Sequence, residues 1–440
     1  MPVVDRYGLV LSTPSEMAAE RYQVGIDLML SGWTGAADAL DEAIVADPSF
    51  AMAYAARARL HAMRAETDQA RACIAQAATW ARRNGTEREQ RHIDVLSLAV
   101  HGQSAKALAG ALDHLERWPR DVIIFSLPMG AFGLFAFSGM ADHDQARVAL
   151  CERHARHFPQ NDWWFLGSRG WAHGEQGNLI LGRELTHRSL ELRRNNANAL
   201  HAHIHVLHEE GAHVELAQII DDWLPGYCRT GILHGHIAWH AALAALERDD
   251  LQRALGVYTS QVAPAVSAGM PINVISDSAS FLWRLLLDGI ELSPSLWRKA
   301  SDYASGFFQE GGFPFADLHM AILAAATGNR HALEQRLKAL DDLVSRGQLG
   351  AGRVAPALCR AVQAFAEGRY EACARLLEPI AHEIVRIGGS GAQREVAEDT
   401  LLVAFIRSGQ ASKARELLQE RLHRRPSRRD SRWLAGLSGS

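Results

Sequence analysis

AADALDEAIVADP (36–48), ACIAQAATW (72–80) and ALAGALDHLERWP (107–119) repeat one pattern three times. Ala43, Ala77 and Ala111 stand 34 residues apart, and each has a small residue four positions earlier, at Ala39, Cys73 and Ala107. Residues i and i+4 share a helix face, so each stretch offers a narrow small-residue face on which a neighbouring helix can lie close. A 34-residue period with such pairs marks tetratricopeptide-type helical hairpins, which bury their apolar face only by stacking. Pro48 and Pro119 fall where the second helix of a repeat has to stop.

Outward from these stretches, Ala/Leu/Glu/Arg-rich windows with 3.6-residue apolar spacing continue along the chain, and strand patterns are nearly absent. Gly32, Gly102, Gly139, Gly177, Gly211, Gly289, Gly328, Gly368 and Gly409 each close one apolar helix before the next begins. Polar turns at Glu66-Thr67 and Arg248-Asp249-Asp250 fill the two gaps in that series. The later spacings lengthen, so the later repeats are degenerate. At 440 residues the chain is too long for one ordinary core. The expectation is an all-α superhelical solenoid of about eleven tetratricopeptide-like hairpins. Regular repeats occupy 1–120, degenerate repeats 121–425, and a basic tail 426–440.

Forty-six basic residues against fifty acidic ones give a formal charge of −4, which argues against a dedicated nucleic-acid binder. Arg424, Arg425, Arg428 and Arg429 crowd the end of the chain and read as a solvated helix end and tail. The five cysteines are odd in number, scattered and without a C-x-x-C pair. Neither a disulfide framework nor a thiolate zinc site is expected, and a reducing, cytoplasmic setting fits. MPVVDRYGLV (1–10) lacks the order of a signal peptide. The most apolar stretch, 122–137, is shorter than a membrane span and is broken by Pro128, Gly130 and Gly133. No membrane segment is expected.

Polar residues collect on the first helices of four consecutive hairpins, which in a solenoid line the concave side. The first carries His201, His203, His205 and His208, and the next carries His234, His236 and His240 beside Trp239. The third carries Asp277, Trp283 and Arg284, and the fourth Asp317 and His319. His201/His205 and His236/His240 are i,i+4 pairs whose Cβ atoms lie roughly 5–6 Å apart, close enough to grip one metal ion. Ala202 and Ile237 stand where a zinc protease has Glu, so that motif is missing. A metal site, a metal-free polar pocket and a structural hydrogen-bond network all remain open on spacing alone. His203 and His208 read as structural: His203 faces away from the paired histidines, and His208 lies a turn beyond His205, where it could border the site. Most of the tryptophans read as interhelical packing, and a few can wall a pocket. No phosphate loop, serine elbow or cysteine-nucleophile context is present.

Five of these stretches, HAHIHVLHEEG (201–211), HIAWHAALAALE (236–247), DSASFLWRLLLDG (277–289), FADLH (315–319) and GGSGAQREV (388–396), together resemble the tetratricopeptide repeat protein 38 family. The matching residues include His201, His205, His236, Trp239, His240, Asp277, Trp283, Arg284, Asp317, His319, Gln393 and Arg394. His208, Ile237 and Glu395 stand where the family tends to have Glu, Asn and Asp. The resemblance implies that His205, His236, His240, Asp277, Arg284, Asp317 and His319 act as one site, without naming a reaction.

The functional expectation is an enzyme or binder of a small anionic molecule, with its site inside the superhelix. His205, His236, His240 and His319 are the candidate ligands of a zinc, iron or manganese ion. Asp277 and Asp317 are the candidate carboxylate ligands or general bases, and hydrolysis is the simplest chemistry. Arg284 joins them, with Arg394, Gln393, Trp239 and Trp283 holding the substrate. The alternative is a scaffold that keeps a peptide or protein segment in the groove.

Overall fold

Ala43, Ala77 and Ala111 are all fully buried, each in the second helix of a hairpin. The computed structural model describes residues 3–437, and the last three residues of the expected tail lie outside them. Among the described residues the chain is helical, apart from one isolated bridge between Val4 and Val10. It divides into two units, the first ending at His203 and the second beginning at Ile204 and taking in Gly139–Ala141.

The first unit holds α1 (Glu16–Leu30), α2 (Ala36–Ala46), α3 (Ala51–Met63), α4 (Thr67–Asn84), α5 (Glu87–Val100), α6 (Ser104–Arg117), α7 (Val122–Ser126), α8 (His143–His154), α9 (Trp163–Gln176) and α10 (Leu179–Leu192). The boundary falls within α11 (Ala197–Glu209). The second unit continues with α12 (His213–Trp223), α13 (His234–Glu247), α14 (Leu251–Val257), α15 (Pro271–Leu287), α16 (Pro294–Ala304) and α17 (Pro314–Ala326). It ends with α18 (Arg330–Ser345), α19 (Val354–Ala366), α20 (Tyr370–Leu377), α21 (Gly391–Arg407), α22 (Ala411–Arg424) and α23 (Arg428–Gly436). The pairs α1/α2, α3/α4, α5/α6, α9/α10, α13/α14, α15/α16, α17/α18, α19/α20 and α21/α22 pack as hairpins, whereas the short α7 packs on α5 and α6 and is separated from α8 by the non-helical stretch 127–142.

All nine turn glycines named above adopt positive φ, the conformation in which a helix end is closed by a left-handed residue. In the two gaps of the glycine series the same conformation falls on Ala65 (φ 60°) and Asp249 (φ 59°), where a side chain makes it costly.

In the second unit the first helices of successive hairpins pack on one another, and α15 also packs directly on α21. Within this unit the last helices return to the earlier ones. Arg425 lies 3.6 Å from Glu209, Ser427 donates to Glu247 at 2.7 Å, and Arg429 meets Asp288 at 3.2 Å. The inner helices α13 and α15 of this unit are buried over all or nearly all of their length, so the concave side that they line is an interior. The expected solvated tail is corrected. Arg424 and Arg428 are exposed, but Arg421, Arg425 and Arg429 are buried among Glu395, Asp399, Asp430 and Asp288. A buried guanidinium needs such partners because the cost of removing it from water is otherwise uncompensated.

Candidate metal and ligand site

Helix α13 is buried over its whole length, so His236 and His240 cannot be solvated surface histidines. Helix α15 is almost as buried, yet Asn273, Asp277, Ser280 and Arg284 run along it at spacings of four, three and four residues. That is one polar stripe on a helix with no solvent-facing side to explain it.

The two helices meet through His236 and Asp277. The His236 Nδ1 atom lies 2.8 Å from Asp277 Oδ2 and 3.0 Å from Oδ1. An ionised carboxylate only accepts hydrogen bonds, so Nδ1 carries the proton and Nε2 keeps the lone pair. This is the arrangement by which a carboxylate orients a metal-binding histidine. Burial pushes the Asp277 carboxyl up, and His236 opposes that shift. A cation held at Nε2 would favour the carboxylate form further.

His240 stands edge-on to both neighbours, its ring centroid 5.1 Å from His236 and 4.6 Å from His205 on α11. His205, His236 and His240 each offer a ligand atom within 4.8 Å of the others. Burial holds the His205 imidazole well below its ordinary value, and the charges of His236, His208 and Arg394 add to the effect. It is therefore neutral near pH 7, the form that binds metal. His201, one turn earlier on α11, is partly buried and stacks on Trp171 with 5.4 Å between ring centroids.

Trp239 stacks on His236 at 5.3 Å, and the Arg284 guanidinium lies 5.8 Å from the Trp239 ring centroid. Arg284 donates from Nη2 to the Ala392 carbonyl at 2.8 Å and pairs through Nε with Asp399 at 3.3 Å. Gln393 caps α21, its Oε1 accepting from the Ser390 N–H at 3.0 Å. Arg394 donates to the Gly389 carbonyl.

Three expected members take other places. His319 is not in the group of converging ligand atoms, and its Nδ1 is bound to the Phe315 carbonyl at 2.7 Å. It neighbours Arg284, whose charge acts on it. Asp317 faces the second helix of its own hairpin, ion-paired with Arg336 and accepting the Gly312 N–H at 3.0 Å. Trp283 is core, donating to Thr400 at 2.9 Å and packed on Phe365 and Trp297. His203 bonds Thr186 at 2.9 Å, the structural role expected of it.

Sequence reasoning missed Asp399 and Asn273. The spacing of Asn273 before Asp277 and Arg284 is a readable signal. Asp399 carries none, because its partners Arg421 and Arg429 are known only from the fold.

No family model matches the chain. Among solved structures it is similar to a chain in the structure of Naa15/Naa10 bound to HypK-THB, at 13% identity and a TM-score of 0.24. That likeness covers 92% of this chain and 63% of the other, so this chain spans under two thirds of that protein's length. It is also similar to the P58(IPK) TPR domain, at 11% identity and a TM-score of 0.21, over 90% of each chain. Likeness at these scores says nothing of ligands or partners. No helix among the described residues is long and apolar enough to cross a membrane.

Proposed function

We propose that the second unit encloses a metal-dependent site for a small anionic molecule, with hydrolysis as the simplest reaction class. The observation that carries this reading is the Asp277–His236 pair, which fixes the imidazole through Nδ1 and joins it to a cluster that includes two further buried histidines. His205, His236 and His240 are the ligands, and three nitrogen donors suit zinc, with iron and manganese as alternatives. A bound ion of this kind supplies Lewis-acid polarisation of a carbonyl or phosphoryl oxygen. Asp277 would fix the tautomer of His236 through its bond to Nδ1. Arg284 supplies the positive charge for the ligand, held in place by Asp399 and the Ala392 carbonyl. The resemblance to the tetratricopeptide repeat protein 38 family favours the same residues.

The test is elemental analysis of the purified chain beside the His236→Ala/His240→Ala double variant. The expected result is about one equivalent of transition metal, lost in the variant while its far-UV circular dichroism stays helical. Metal-free protein whose stability is indifferent to the two changes would remove the metal centre. A metal-free ligand pocket and a helical-repeat scaffold for a peptide or protein segment would then be the readings left.

A further inference from the structure

Buried polar atoms in folded proteins are nearly always hydrogen-bonded, so each one that is not asks for an explanation. Around Arg284 four side chains, all at most 2% exposed, each carry such an atom. They are Arg284 Nη1, Trp239 Nε1, Gln393 Nε2 and His319 Nε2. Arg284 is their common neighbour. It lies over the Trp239 ring, bonds the residue before Gln393, and its charge is felt by His319.

The chemistry of each atom follows from what its side chain already does. Two of the Arg284 nitrogens are engaged, so Nη1 is a charged donor left over. Gln393 must turn Oε1 to the Ser390 N–H, which leaves its amide N–H₂ as a donor. The Trp239 indole can only donate. His319 is the opposite case. The Phe315 carbonyl can only accept, so His319 Nδ1 holds the proton and Nε2 presents a lone pair. Burial, with Arg284 adding to it, pushes this imidazole down to about 4, which keeps that lone pair unprotonated near neutrality.

Three donors, one of them cationic, and one acceptor make a template. A carboxylate takes up two donors, including the guanidinium, and a secondary amide takes up the third donor at its carbonyl while giving its N–H to His319. We infer that the ligand of this site is a small carboxylate bearing a secondary amide, of the N-acyl amino acid class. This rests on the enclosed-site reading above but not on the metal. The burial of all four side chains excludes a folded partner as the group that meets them.

The experiment compares three probes on the wild-type chain by isothermal titration: N-acetylglycine, its methyl ester and N-acetylsarcosine. The ester lacks the anion and the sarcosine derivative lacks the N–H. N-acetylglycine is expected to bind at least about tenfold more tightly than either, since a lost charged or buried hydrogen bond is worth that much. Arg284→Met should abolish the preference for acid over ester, and His319→Phe the preference for N–H over N-methyl. If Arg284→Met does not fold, the wild-type probe series still decides the matter. Equal binding of all three probes, or binding of none because water satisfies these atoms, overturns the inference. Metal content measured on the same samples separates the two readings. Discrimination among probes in a protein that never holds metal removes the metal centre alone. Metal without discrimination removes this inference alone.

Discussion

Asp121 in the first unit and Asp277 in the second are both buried carboxylates bonded to histidine; Asp121 itself belongs to a cluster close enough to hold an ion, and Asp277 bonds His236, a member of the other such cluster. Asp121 accepts from His92 at 2.9 Å, from His114 at 3.0 Å and from the Arg88 guanidinium at 3.0 Å. Although burial alone would raise it, His92, His114 and Arg88 hold this carboxyl well below the ordinary range. Arg88 also bonds the Val10 carbonyl, and its neighbour Glu89 takes the Ser12 N–H, so the cluster ties the first residues of the chain to α5. Asp277 engages one histidine, and no guanidinium is bonded to it among the described residues. The same residue types therefore build a carboxylate saturated by two histidines and a guanidinium in one place and an imidazole oriented by a carboxylate in the other. A count of nearby ligand atoms does not separate them. The position of a guanidinium does, because a cation beside Asp121 would have to sit against Arg88.

The largest expected effect breaks the structural half of this contrast. Asp121→Ala leaves Arg88 buried without its partner and should cost about 3–5 kcal/mol of stability, read by chemical denaturation, with metal content unchanged. The next concerns protons. His319 is held down to about 4, so below about 6.5 the unfolded chain binds a proton that the folded chain refuses. Its contribution is complete above that pH and is lost as the pH falls toward 4, roughly 3 kcal/mol over the window. His319→Gln should remove that slope. Asp121, shifted the same way from the carboxylate value, loses its contribution only below about 4. Smaller again, Asp277→Asn should weaken metal affinity about 10–100-fold with little change in helicity. The smallest effect compares the turns, where Ala65→Gly should raise stability by about 0.5–1 kcal/mol by relieving a left-handed alanine.

The repeat architecture was legible because its signals are local. The alanine period and the glycine turns depend only on helix geometry, and the structure places both where the sequence puts them except at Gly139, which follows the non-helical stretch after α7 and closes no helix. The His236/His240 pair was legible for the same reason. Direction around a helix was harder. Asp317 and His319 are two residues apart and so point to different sides, one to Arg336 and the other bonded through Nδ1 to the Phe315 carbonyl. Trp283 and Arg284 diverge likewise, one into the core and the other over Trp239. The terminal arginines were misread for a third reason. Asp288 precedes Arg429 by 141 residues, a separation that no local pattern can bridge. Burial of a charge is a property of the closed unit rather than of the segment that carries it.

The most direct test of the account is an anomalous-difference map, recorded at the absorption edge of whichever metal elemental analysis finds in crystals of the full chain. The account predicts one peak bonded to His205, His236 and His240, reached from His236 by Nε2 while Nδ1 stays on Asp277. A peak at His92, His114 and Asp121 instead, or no peak at either place, would contradict it.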